Sequence, residues 1–345
     1  MTGVSDHRNN FNMIRLLAAL QVLAVHALNH LGFEGPIVTA LKVVPGVPTF
    51  FFISGLLICA SYERMQHQGL RAFFTNRVLR IYPALWVCVA VSIVAVATTG
   101  YLRTQNFSTA HLVLWLLGQS SFLQFYNPEF MRAFGVGVIN GALWTVTVEL
   151  QFYALTPLLF FLMVGHRGWL VLVFVASLAL NVYLRHYLDW GLLGVKLVYV
   201  SFLPWIYIFL LGFVAARYRD LAEQLKQRLR LRWLIPAYVL SMILVGPYEV
   251  NATNAINPIS VAVLAACLLK LSTARLPVPE RLTRFVARQD FSYGLYLYHM
   301  PVLNLVIYIG WFTAPGNLVT AFVGSVLAAT VSWYLVEKPA LRHKL

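Results

Sequence analysis

The chain has 345 residues, 60% of them hydrophobic and only 11% charged, and its mean hydropathy is +0.72. A soluble domain of this length carries about a quarter charged residues, so the composition reads as an integral membrane protein and excludes disordered, collagen-like and disulfide-scaffold chains. The formal net charge of +14 would suit a nucleic-acid partner, but the placement of the bases argues topology, and no nucleic acid is expected. Cys59, Cys88 and Cys267 all sit in apolar stretches and read as small core residues.

In chain order, apolar stretches run near residues 11–31, 46–62, 78–99, 142–164, 168–184, 197–216, 233–247, 257–271, 291–310 and 317–336. They predict an all-α polytopic protein of about ten transmembrane helices, each needing roughly 20 residues to cross. Stretch 111–126 is set aside as a span because including it breaks the charge pattern. With the N-terminus inside, the cytoplasmic segments hold all of the 26 Lys and Arg residues except Lys42, Arg103, Arg132, Arg185 and Lys196. The positive-inside rule then puts both termini in the cytoplasm. The first helix lacks a small-x-small cleavage site and contains Arg15 and His26, so it is read as a retained helix rather than a signal peptide. The basic connector near 217–232 faces the lipid headgroups, and with no linker or repeat the chain reads as one membrane domain, 1–345.

Charges inside a bilayer cost about 2.5–3.5 kcal/mol each even on lenient scales, so they mark function. Eleven of the twelve acids fall in loops or at helix ends, leaving Glu149 within a span, while His26 and His299 are the histidines well inside. At about 1.5 Å per residue, His26 lies roughly 22 Å from the cytoplasmic face and Glu149 roughly 10 Å below the outer one, which predicts a pair at similar depth. The same arithmetic puts His299 only about 12 Å in. A packed polar pair that merely locks helices is the other reading of His26 and Glu149.

Arg15 and His26 are three turns apart on one face of the first helix. In FFTNRVLRIYPALW, Arg77 and Arg80 sit at i and i+3, two guanidinium forks that suit phosphate or a lipid headgroup. In FSYGLYLYHMPV, Ser292, Tyr296 and His299 share a helical face that lines a pore or bonds helix to helix. Ser54 beside Gly55 in TFFFISG marks either a polar group in the site or a close helix approach.

These pieces together resemble the bacterial membrane acyltransferase-3 family. They are NNFNMIRLLAALQVLAVHA with Arg15 and His26, FFFISGLLI, FFTNRVLRIYPALW, LWTVTVELQFYALTPLL around Glu149, FSYGLYLYH around His299, and SWYLVEKP around Glu337. The resemblance implies a ten-helix core in the bacterial cytoplasmic membrane. It also implies His26 as leading catalytic residue, Arg77 and Arg80 as a coenzyme A phosphate site, acyl-CoA (usually acetyl-CoA) as donor, and a surface polysaccharide or its lipid-linked precursor as acceptor. The chain departs from many relatives at Pro48, where they carry an acid, and at Leu150, where they carry a second carboxylate. Some relatives have an added esterase-like domain; none follows Leu345 in this sequence, so the acceptor is expected to meet the membrane domain itself.

Combined, the readings predict an O-acetyltransferase. Acyl-CoA docks on Arg77 and Arg80, its pantetheine arm passes Arg15, His299 and Tyr296, and His26 acts as general base with Glu149 orienting its ring. Tyr296, Ser54 or Trp144 are candidates for holding the oxyanion. No metal is expected. The rival class is a proton-coupled secondary transporter, whose repeated, interrupted helix pairs are not found.

Overall fold

A computed structural model of the protein describes residues 10–187, 192–246, 256–275, 277–310 and 312–345. Asp6, Arg8, Asp189 and Glu249, charges in loops or at the N-terminus, lie outside the described residues, as does residue 247, the last of the seventh apolar stretch. All regular structure among the described residues is helical. In order the helices are α1 (Phe11–His30), α2 (Pro36–Lys42), α3 (Gly46–Met65), α4 (Gly69–Thr98), α5 (Thr109–Ser120), α6 (Trp144–Gly165), α7 (Arg167–Tyr187) and α8 (Leu193–Tyr199). They continue as α9 (Ile206–Arg217), α10 (Arg219–Arg228), α11 (Leu231–Val245), α12 (Pro258–Leu271), α13 (Glu280–Arg288), α14 (Ser292–Ile309), α15 (Ala314–Ser332) and α16 (Lys338–Leu341). A π-helical turn, Trp333–Glu337, joins the last two.

Among the described residues five stretches are long and apolar enough to cross a membrane: Phe11–His30, Pro36–Thr98 (which contains α2 to α4), Gly141–Gly165, Arg167–Arg185 and Ala314–Leu341. Helices α9, α11 and α12 are apolar but have 12, 15 and 14 residues, a length of about 18–23 Å against a hydrocarbon core of about 30 Å. The apolar stretch 197–216 is broken into α8 and α9 by a turn at Val200–Trp205. FFTNR, ahead of the apolar stretch 78–99, belongs to the 30-residue α4, which passes through Pro83 without ending.

The stretch 111–126 does form a helix. The indole Nε1 of Trp86, midway along α4, donates to Ser120 O (3.0 Å), so α5 runs from the Thr98 end of α4 to about its middle. The chain then turns back. Buried Gln119 donates to Gln124 O (3.1 Å) and Tyr126 O (2.8 Å), the Gln124 amide donates to Ser121 O, and Thr147 of α6 donates to Gln124 Oε1 (2.5 Å). Side-chain amides thus satisfy a non-helical turn where lipid offers no partner.

The tightest helix pair is α3 with α9. A Cβ on Gly55 would lie 1.9 Å from Phe209 O, and one on Gly212 would lie 2.0 Å from Phe52 O, so the two glycines let the backbones touch. Around this crossing Phe51, Phe52, Phe152, Phe209 and Phe213 form the aromatic core. α14 packs between α1, α4 and α15. It is held by the loop before α6: Asn304 donates to Val138 O and Ile139 O and accepts from Val136 N, and Asn140 donates to Leu297 O.

Candidate active site

α1, α3, α6 and α14 enclose a narrow cavity of about 30 Å³, lined by Arg15, Phe50, Thr145, Glu149, Ser292 and Tyr296 among others. The faces anticipated on two helices therefore converge: Arg15 from α1 and Ser292 and Tyr296 from α14 meet Glu149 from α6. One turn beyond Tyr296, His299 meets His26.

The His26 Nδ1 to His299 Nε2 distance is 2.9 Å, with the rings stacked at 5.1 Å. His299 is fully buried and its Nδ1 lies 2.7 Å from Tyr296 O. A carbonyl only accepts, so His299 Nδ1 carries the hydrogen. With both rings neutral, His299 Nε2 is then an acceptor and His26 Nδ1 the donor, which leaves the lone pair on His26 Nε2. His26 is half-buried, and its neighbour toward the C-terminal end of α1, His30, is exposed.

Two of the depth readings need correction. His299 does not sit far below His26 but touches it. α14 starts inside the protein: Asp290, two residues before it, is bonded to Arg15, four residues into α1, so counting from the membrane face underestimates the depth of everything that follows. Glu149 is not the ring partner of His26. It accepts from Ser54 Oγ (3.2 Å) and Tyr153 Oη (2.5 Å). Thr145, at the start of α6, already stands opposite Tyr296 (2.7 Å), so Glu149 falls one turn below Tyr296 while His299 stands one turn above it. That separates them by about 10 Å along the helices.

The oxyanion candidates are likewise occupied. The Tyr296 hydroxyl donates to Ala142 O (3.1 Å) and contacts Thr145, and Ser54 is engaged with Glu149. Trp144 packs in an aromatic group with Phe51, Tyr199 and Trp205.

At the other end of the cavity Asp290 joins α1, α4 and α14. Its Oδ2 takes Arg15 Nη1 (2.6 Å) and Arg80 Nη2 (2.5 Å), and its Oδ1 takes Ser292 Oγ (2.5 Å). Burial pushes this carboxyl up, but Arg15, then Arg80 and the Ser292 hydrogen bonds outweigh it and hold it well below the usual carboxylate range. Arg80 also faces Glu337 at 3.9 Å. Glu337 is 2% exposed and accepts from Ser332 (3.0 Å) in the π-turn; a Cβ on Gly294 would stand 2.8 Å from it. Arg77 donates to Ser61 Oγ (3.1 Å) and lies over the rings of Phe73 and Tyr153. Glu149 is therefore not the lone acid in the interior: Asp290 and Glu337, read as loop or helix-end residues, also turn inward, onto Arg80. The proximity of Asp290 to Ser292 in FSYGLYLYH was the one available signal. No group of three or more His, Cys, Asp or Glu that could hold a metal occurs among the described residues.

A buried histidine pair one turn beyond the cavity and an arginine–carboxylate cluster on its other side thus lie inside a bundle of apolar helices. A family profile described as an acyltransferase domain, Acyl_transf_3, matches residues 8–337. The chain belongs to this acyltransferase-3 family and is an acyltransferase. It is 33% identical to nodulation protein 10 of Rhizobium leguminosarum bv. viciae, over 98% of this chain and 94% of that one. It is 26% identical to an O-acetyl transferase of Shigella phage Sf6, over 96% of each. A shorter match, 28% identical, links 48% of the chain to 26% of the peptidoglycan O-acetyltransferase OatA of Listeria monocytogenes. No solved structure matches.

Proposed function

We propose that this protein is a membrane O-acetyltransferase that moves an acetyl group from cytoplasmic acetyl-CoA to a hydroxyl of a cell-surface polysaccharide or its lipid-linked precursor. One domain, 1–345, spans the bacterial cytoplasmic membrane about ten times with both termini inside. The bias of basic residues supports the orientation, and the similarity to two proteins named as O-acetyl transferases supports the group transferred. The observation that carries the reading is the hydrogen-bonded series Tyr296 O, His299, His26, which frees His26 Nε2 as a base.

The acceptor hydroxyl approaches His26 from the exposed outer end of α1. His26 Nε2 takes its proton as the oxygen attacks the thioester carbon, the C–S bond breaks, and the proton passes to the departing CoA thiolate. His299 is a positioning residue: it keeps the hydrogen on His26 Nδ1 and shares the charge that forms. Arg77 and Arg80 bind the donor phosphates, with Arg15 and Tyr296 lining the path of the pantetheine arm. Glu149, within electrostatic reach of Arg80, balances the arginines rather than the imidazole.

The test is release of CoA thiol from acetyl-CoA by solubilised protein with a polysaccharide acceptor. His26→Ala should abolish turnover. His299→Ala should lower kcat by about 10²-fold with the donor KM unchanged, and the double variant should be no slower than His26→Ala alone. Near wild-type turnover in His26→Ala would overturn the reading, and a raised donor KM in His299→Ala would return that residue to the donor path.

A further inference from the structure

The arginines of α4 are joined at the cytoplasmic mouth by a residue from the far end of the sequence. Asn76, buried next to Arg77, donates from Nδ2 to Leu345 O (3.1 Å) and accepts at Oδ1 from Leu345 N (2.9 Å). This two-way amide clasp fastens the segment after α16 onto α4 and brings Lys344 to the rim above Arg77 and Arg80. Lys344 makes no ion pair among the described residues. Arg77 has only its bond to Ser61, and its Nε is buried without an acceptor.

The charges here do not balance. Four cations, Arg15 from α1, Arg77 and Arg80 from α4 and Lys344, meet three acids: Asp290, Glu337 and, through Arg80, Glu149. Burial, then Arg77, Arg80 and Arg15, push the Lys344 ammonium down to about 8, against the pull of Asp290. Clustered cations in a partly dehydrated mouth, with an unfilled guanidinium donor among them, are the arrangement an anion stabilises.

We propose that Lys344, held beside Arg77 by the Asn76–Leu345 clasp, completes a phosphate site for the acyl donor at the cytoplasmic mouth. The proposal rests on the acyl-CoA reading above and refines it. Arg80 lies one turn deeper than Arg77 and is engaged by Asp290, and the thioester end must point inward to His26. The outermost phosphate, the ribose 3′-phosphate of coenzyme A, therefore falls to Lys344 and Arg77, and the diphosphate to Arg77 and Arg80.

Calorimetric titration of the solubilised full chain with coenzyme A and with 3′-dephospho-coenzyme A tests this. Lys344→Ala should weaken coenzyme A binding about tenfold, the worth of one charge-assisted contact, and leave 3′-dephospho-coenzyme A binding unchanged. Lys344→Arg should retain wild-type affinity, and Arg342→Ala, a neighbouring cation outside the cluster, should have no effect. Between pH 7 and 9 the wild-type affinity for coenzyme A should fall as Lys344 loses its proton, whereas that of Lys344→Arg should stay level. Asn76→Ala, which opens the clasp and leaves the ammonium intact, should mimic Lys344→Ala. If Lys344→Ala binds coenzyme A as the wild type does, or weakens both ligands equally, the assignment is wrong while the donor reading stands. If the wild type binds neither ligand, the donor reading fails and this site fails with it.

Discussion

At His26 one carbonyl, Tyr296 O, acting through His299, decides which ring nitrogen keeps the hydrogen. The residue type was legible in the sequence, but its partner was not, because a helical face has no register against its neighbour until the helix ends are known. Asp290 shows the same lesson. A carboxylate next to a helix start reads as a loop acid, yet it ties Arg15, Arg80 and Ser292 together. Removing one member of such a buried pair costs about 3 kcal/mol, so Asp290→Asn should lower the melting temperature clearly. Because the folded carboxyl is held below its ordinary value, its stabilisation is fully present above the unfolded pKa of about 3.9 and lost as pH falls through the lower, folded one. Tryptophan-fluorescence melts should show a constant gap between wild type and Asp290→Asn from pH 8 to 5, closing only below about pH 4. A gap that closed between pH 7 and 5 would point to a different titrating group.

At the scale of elements, the α3–α9 contact holds up the wall that carries Ser54 and, across from it, Glu149. Gly55 in the sequence reads as either a site residue or a close approach; the approach is what the fold uses it for, with Phe209 O where a methyl would go. Gly55→Ala or Gly212→Ala must push two backbones apart, and overpacking of this kind costs about 3 kcal/mol. Gly165→Ala, at the end of α6 with nothing within 4 Å, should be neutral. Thermal unfolding in detergent separates the three. Equal stability of Gly55→Ala and Gly165→Ala would mean that α3 and α9 do not meet at these glycines. The π-turn at Trp333–Glu337 is an element of another kind, legible only as the motif SWYLVEKP, and it turns Glu337 inward toward Arg80.

Over the whole molecule, the distribution of Lys and Arg sets an orientation that the helices must then satisfy. Reporter fusions after Arg103, Arg132 and Lys196 should read outside, and fusions after Arg167 and Arg228 inside. A cytoplasmic signal after Arg132 would mean that α5 and the chain behind it cross fully, in place of the half-way turn fastened by Gln119, Gln124 and Thr147. The sequence by itself determined the membrane class, the helical architecture and the family, because composition, apolar run length and motif order are properties of the chain taken locally. It also singled out Arg15, Glu149 and Tyr296, which line the cavity, His26 and His299, which pair one turn beyond Tyr296, and Arg77 and Arg80 of α4. Only the tertiary structure decided who pairs with whom. His299 took the place expected of Glu149, Asp290 and Glu337 came inside, and Lys344 came to the mouth. The physical reason is stagger. α6 and α14 begin inside the protein, so a residue's position along the bundle depends on where its helix is anchored by Thr145, Asp290 and Asn304, contacts that span up to 275 positions of sequence and leave no local trace.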